Sequence, residues 1–156
     1  MAPLSLRVNG KEHRVDVDPE TPLLFVLTDE LGSRGPRFGC GLAQCGSCTV
    51  LRNGKAVRSC VTSVGEVGTD EILTLDGLGT PENPHPIQRA FIEEGAAQCG
   101  YCLSGVILTA KATLDAKPDA TDHEIREAMD GVLCRCFAHN RMMLAIRKYA
   151  EEKKHA

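Results

Sequence analysis

The first third of the chain alternates between apolar and polar positions. Leu4, Leu6 and Val8 are separated by polar residues, Asn9-Gly10 follows, and Val15 and Val17 resume the alternation. A period of two on both sides of an Asn-Gly pair predicts a β-hairpin. Thr21-Pro22 then reads as an N-cap and first helical position. Leu23, Leu24, Leu27 and Leu31 give the short helix that follows one apolar face, with Gly32 to end it. Residues 32–48 lose periodicity and carry Gly32, Gly35, Gly39, Gly41 and Gly46, which predicts a loop. A second hairpin is expected to turn at Asn53-Gly54, and a last short strand to cover Glu71–Asp76. This half reads as a small α+β unit around a mixed sheet.

The period then changes. Residues 77–86 hold Pro81, Pro84, Pro86, Gly77 and Gly79 and read as a linker, because neither a long helix nor a central strand tolerates that composition. Beyond it, Ile87, Ala90 and Phe91 begin one helical stripe, and Val106, Ile107, Ala110 and Leu114 form a second, ended by Lys117-Pro118. Thr121 with Glu124 matches a capping box, after which Ile125, Ala128, Met129 and Val132 follow helical spacing. Met142, Met143, Ile146 and Tyr149 mark a fourth helix. Four helices in about 70 residues predict a compact bundle, and the division expected is residues 1–78 and 79–156.

Composition sharpens this picture in two ways. The 156 residues include no Trp, two Tyr and four Phe, so two separate small cores would be poor in aromatic packing, and metal is a candidate for holding them together. The charge is near balance, 18 basic against 21 acidic residues, which argues against nucleic acid as a partner. The start, Met-Ala-Pro-Leu-Ser-Leu-Arg-Val-Asn-Gly, lacks the pattern of a secretory signal, and no stretch approaches the about 18 consecutive apolar residues of a membrane span. By its own sequence the chain is expected in the cytoplasm with no direct membrane insertion; export to the periplasm would require folded transport on a signal-bearing partner.

Eight cysteines in a cytosolic chain point to metal rather than disulfides. They fall into two sets. Cys40, Cys45, Cys48 and Cys60 follow C-x4-C-x2-C with a distant fourth member, the plant-type [2Fe–2S] spacing. Gly39, Gly41 and Gly46 permit the dihedrals and close approach that such a loop demands. If Asn53-Gly54 is the turn, Arg52 pairs with Lys55 and Cys48 faces Ser59. Strict pleating would then send the Cys48 and Cys60 sulfurs to opposite faces, so a bulge or strand end is expected there. Cys99, Cys102, Cys134 and Cys136 follow C-x2-C-x31-C-x-C. The first pair is expected to open one helix and the second to end another, so that two helix ends meet around one centre. Structural zinc is the alternative for the first set, but it ordinarily uses two short cysteine pairs, which that set lacks. Cys99-Gly-Tyr-Cys102 alone could be a thioredoxin-like redox pair or half of a zinc site; four thiolates with no nearby histidine ligand fit iron–sulfur better. The five histidines are dispersed, no nucleotide or nucleophile motif is present, and no catalytic residue is expected on this chain.

Taken in this order, Gly39-Cys-Gly-Leu-Ala-Gln-Cys-Gly-Ser-Cys-Thr-Val, Gln98-Cys-Gly-Tyr-Cys and Leu133-Cys-Arg-Cys resemble the iron–sulfur subunit of the xanthine dehydrogenase family of molybdenum hydroxylases. In style they are closest to separate small subunits such as those of isoquinoline oxidoreductase, nicotinate dehydrogenase and bacterial aldehyde oxidoreductases. The resemblance implies a ferredoxin-like β-grasp domain followed by a four-helix bundle, carrying two [2Fe–2S] clusters. It implies electron transfer from the molybdopterin cofactor of a large partner subunit, which oxidises an aldehyde or N-heteroaromatic substrate, to an acceptor such as a cytochrome c or flavin subunit. It places Gln98 and Cys136 at the pterin, Cys136 being an iron ligand as well. One departure stands out: Phe137-Ala138-His139 follows Cys136 where many relatives have Gly-Thr-His or Thr-Gly-Tyr. That aromatic either packs on a partner or fills a helical core. A free-standing two-cluster carrier is the competing reading. It would show a charged patch where a subunit shows an apolar face around the second cysteine set.

Overall fold

The computed structural model describes residues 3–155; Met1 and Ala2, the start of the segment read for a signal, and Ala156 lie outside the described residues. Strands β1 (Leu4–Val8) and β2 (Lys11–Val15) form the expected hairpin, with Asn9 and Gly10 both at positive φ (52° and 76°). Two left-handed residues give the turn the twist that the flanking strands require. The same device at Asn53 and Gly54 joins β3 (Thr49–Arg52) to β4 (Lys55–Arg58), with Arg52 opposite Lys55. Strand β5 (Glu71–Leu73) is shorter than expected because Leu75–Gly77 turn into a 3-10 coil. It enters the sheet parallel to β1 and antiparallel to β3, giving a mixed sheet of order β2-β1-β5-β3-β4.

Helix α1 departs from the simple expectation. It runs as an α-helix only over Leu23–Phe25 and continues as a π-helical turn over Val26–Glu30. Thr21 does not cap it: the Leu23 and Leu24 N–H groups donate to the Thr62 and Ser59 carbonyls, at 2.8 and 3.0 Å. The segment after β4 thus supplies the acceptors that a side-chain cap would otherwise provide. Gly32, at φ +65°, ends the helix as expected. Leu23, Val26 and Leu27 pack with Leu6, Val8, Val15, Val50 and Ile72 in the core of this half.

The second half holds α2 (Pro86–Glu93), α3 (Leu103–Ala116), α4 (Asp122–Met129) and α5 (His139–Lys154). The Thr121–Glu124 capping box is present. A second one was hidden in the expected linker: His85 Nδ1 accepts from the Ile87 N–H, and Gln88 accepts from the His85 N–H at 2.9 Å. Leu75 and Leu78 pack against the helical core, so the start of that segment is folded rather than free. Helix α4 stops at Met129, short of Val132 and well before Cys134. The backbone leaves the helix there because its polar groups find partners in the other half: Arg58 donates to Gly131 O at 2.9 Å, and Leu133 N donates to Cys45 O at 2.9 Å. Helix α3 packs directly on β3 and β4, which brings the two cores face to face. Among the described residues no helix is long and apolar enough to cross a membrane.

Candidate iron–sulfur centres

The first cysteine loop is built around one sulfur. The backbone N–H groups of Leu42, Gln44 and Cys45 all point at Cys40 Sγ, at 3.3, 3.2 and 3.3 Å, and Cys40 N–H points at Cys45 Sγ at 3.3 Å. This wrapping requires left-handed backbone at Gly41 and Ala43 (φ +67° and +60°). At Gly39 a side chain is excluded, because a Cβ would lie 2.6 Å from Cys45 Sγ. The Leu42 and Cys45 N–H groups, outweighing burial, bring the Cys40 thiol down to about 6. The loop is therefore preorganised for a thiolate.

The register expected for the fourth member is observed. Ser59 stands opposite Cys48, its N–H and hydroxyl both donating to Cys48 O, at 3.4 and 2.7 Å. Strand β4 then ends, and Val61 N–H closes a turn onto Arg58 O at 3.2 Å. That strand end swings Cys60 to the Cys48 side, where both sulfurs pack on Leu24. Burial pushes the Cys48 thiol up to about 11.

In the second set, Cys102 is the N-cap of α3, as expected for the C-x2-C pair, and Gly100 before it takes φ +79°. Cys134 and Cys136 do not end a helix; they sit in the loop between α4 and α5. Burial pushes the Cys102 thiol up to about 12, with the neighbouring Cys134 adding to the rise, while the Tyr101 N–H draws Cys99 down. Buried thiols of this kind ionise only when a cation takes the proton's place, so metal entry releases protons.

Among the described residues no three His, Cys, Asp or Glu side chains converge on the site of a single ion. Within each set the thiols neighbour one another: Cys40 with Cys45 and Cys48 with Cys60 in the first, and in the second Cys102 with Cys134 and Cys99, and Cys136 with Cys99 and Cys134. The donor chemistry, the N–H groups aimed at sulfur and the excluded side chain at Gly39 all fit [2Fe–2S].

Both sets contribute to the lining of one cleft of about 450 Å³, through Cys40 and Cys45 and through Cys99, Cys102 and Cys134. Tyr101 lies across it, its hydroxyl donating to Phe38 O at 2.5 Å with the Arg37 guanidinium 5.6 Å from its ring. The Leu133–Cys45 hydrogen bond ties the residue before Cys134 to a residue of the first set. Gln98 is exposed beside Cys99, outside any helix. Sequence reasoning missed three contributors to this junction: Arg58, Gly105 and the Tyr101–Arg37 pair. Only the small residue in the first turn of a helix was a visible signal, at Gly105.

Comparison with known proteins agrees with this architecture. Residues 6–72 match the family model of the 2Fe–2S iron–sulfur cluster binding domain, and residues 74–147 that of a second [2Fe–2S] binding domain. The chain is 48% identical over 151 residues to one of the subunits of nicotinate dehydrogenase from Pseudomonas putida, covering 97% of this chain and 96% of the relative. It is 47% identical to the alpha subunit of isoquinoline 1-oxidoreductase from Brevundimonas diminuta, covering 93% of this chain and 95% of the relative. The crystal structure of aldehyde oxidoreductase from Desulfovibrio desulfuricans superimposes on 99% of it with a TM-score of 0.94 and 36% identity; there the matched part is 17% of a much longer chain.

Proposed function

Because the chain belongs to the family of two-cluster [2Fe–2S] subunits of molybdenum hydroxylases, we propose that it carries electrons from the molybdopterin site of a large partner subunit to an external acceptor. When bound, the two clusters supply one-electron redox chemistry. Cys40, Cys45, Cys48 and Cys60 hold one in the 1–78 unit, and Cys99, Cys102, Cys134 and Cys136 hold the other in the 79–156 unit. The observation that carries this reading is the shared cleft, which takes lining residues from both cysteine sets beside a backbone hydrogen bond from Leu133 to Cys45.

The residues of this chain do the remaining work. The N–H groups around Cys40 stabilise thiolate charge, and Leu24 keeps water from Cys48 and Cys60. On this reading Gln98, which is exposed beside Cys99, contacts the pterin together with Cys136, which then serves both as iron ligand and as pterin contact. The partner would be a molybdopterin-binding chain acting on an aldehyde or an N-heteroaromatic compound, with a cytochrome c or flavin subunit receiving the electrons. The thiol-rich composition suits a reducing compartment. A free carrier would present charge around the second set; the exposed side chains there include Arg135 together with the larger apolar surface of Tyr101, Leu133 and Phe137, which favours a subunit.

The test is metal analysis of the purified chain followed by electron paramagnetic resonance of the reduced protein. About four iron and four acid-labile sulfides per chain, with two distinguishable paramagnetic centres, are expected from two clusters of this type. Zinc without iron, or one signal at full iron loading, overturns the assignment.

A further inference from the structure

Phe137 occupies a backbone position that does not suit it. Its φ is +58°, a left-handed conformation that aromatic residues rarely adopt and that glycine takes without strain. The local backbone needs that conformation, since Phe137 N–H turns back to Cys134 O at 3.3 Å and so closes the loop carrying Cys134 and Cys136. The ring plays no part in the closure. It does not fill the core either, because Phe137 is 77% exposed, more than any other large hydrophobic residue described. A left-handed backbone and a 77% exposed ring together make this residue a candidate contact with something outside the chain.

Two further exposed residues stand with it. Leu133, 60% exposed, and Tyr101, 47% exposed, line the same cleft as Phe137, beside the second cysteine set. From this convergence we infer that Phe137 is the anchor by which the chain docks onto the large molybdopterin-binding polypeptide, inserting into an apolar pocket of that partner with Leu133 and Tyr101 around it. The inference rests on the subunit reading above. The occupant follows from the relatives: the chain spans 96% of a subunit of nicotinate dehydrogenase and 95% of the alpha subunit of isoquinoline 1-oxidoreductase, whereas in the aldehyde oxidoreductase structure the matched part is 17% of one continuous chain. What covalent continuity provides in the latter, a separate subunit achieves through a surface. Central aromatic anchors carry most of the energy of such surfaces. An anchor here would also shield the cleft from water beside Cys134.

The experiment uses the cluster-loaded full chain and, as probe, the molybdenum-containing polypeptide that co-purifies with the tagged wild-type chain, identified by its molybdenum and its pterin fluorescence. Phe137→Gly removes both ring and strain; Phe137→Ala removes the ring and leaves a Cβ in the left-handed position. Both variants should raise the Kd for the probe at least tenfold, in line with loss of an interface anchor. Phe137→Tyr should bind within about twofold of wild type. In the isolated chain Phe137→Gly should melt at the wild-type temperature or up to about 4 °C above it, a gain that Phe137→Ala should not show. Phe137→Ala binding within twofold of wild type overturns the anchor and leaves the subunit reading intact. A melting loss above about 4 °C in Phe137→Gly overturns it as well, since the ring would then be structural. If no molybdenum-containing polypeptide accompanies the wild type, the subunit reading itself fails.

Discussion

Gly105 lies in the first turn of α3, where alanine is ordinarily the better residue by up to about 1 kcal/mol. Here the opposite is expected. A Cβ at this position would stand 2.2 Å from Gly46 O and 3.0 Å from Gly46 C, both backbone atoms, with a Val132 methyl at 3.3 Å. Backbone cannot rotate away as a side chain can. The gap has to open by about 0.8 Å before the Cβ–oxygen contact reaches even the 3.0 Å limit of real structures. That opening falls on the junction between halves, next to the Leu133–Cys45 hydrogen bond. Overpacking of a tight contact costs about 1–3 kcal/mol, and a backbone neighbour places this case at the upper end. After the gain in helix propensity, Gly105→Ala should be destabilised by about 2 kcal/mol. For a chain of this size that lowers Tm by about 4–8 °C. The assay is thermal unfolding of the cluster-loaded chain, followed by circular dichroism and by cluster absorbance. A Tm equal to or above wild type would refute the reasoning, because helix propensity would have prevailed and the close approach of α3 to the first cysteine loop would not be real.

Two further outcomes follow from the same geometry. Cys102→Ser should halve the iron content, from about four to about two per chain, and hydrogen exchange should then loosen the helical half more than the sheet half, because ligand geometry and folding are coupled; equal loosening of both halves would count against two centres with separate supports. Asp76 holds the entry to the first cysteine loop, accepting from Ser33 and from the Arg34 and Gly35 N–H groups at 3.2 and 2.9 Å. Burial alone would raise its pKa, but these donors and Thr74 lower it below the ordinary 3.8. A carboxylate with a depressed folded pKa contributes stability that is present above the unfolded value and is lost as pH falls through the folded one. Asp76→Asn should therefore cost about 1 kcal/mol, discounted for its exposure, by an amount constant from pH 8 to 5 and shrinking only below about pH 4. A difference in Tm that changes between pH 6 and 8 would assign the effect to another group.

The elements and the metal chemistry were legible in the chain because both are written in short spacings. Two Asn-Gly pairs set two hairpins and their register, and that register put Cys48 opposite Ser59 and called for a strand end to recover Cys60. The C-x4-C-x2-C and C-x2-C patterns marked the candidate ligands, since a cluster needs donors at loop distances that a local pattern can express. Local patterns also misled where remote partners supplied the hydrogen bonds. Helical spacing carried α4 on to Val132, but the backbone from Gly131 to Leu133 turns instead to Arg58 and Cys45, more than 70 residues away in the chain. Thr21 looked like a cap, but the Thr62 and Ser59 carbonyls take that role for α1. Phe137 left two readings open, core or contact, and its exposure rules out the core. Sequence spacing sorted the cysteines into two candidate sets; how the two sets come to share one cleft was decided by tertiary contact, through the approach of Gly105 to Gly46 and one hydrogen bond from Leu133 to Cys45. Those contacts join residues far apart in the chain, and no periodicity within either half records them.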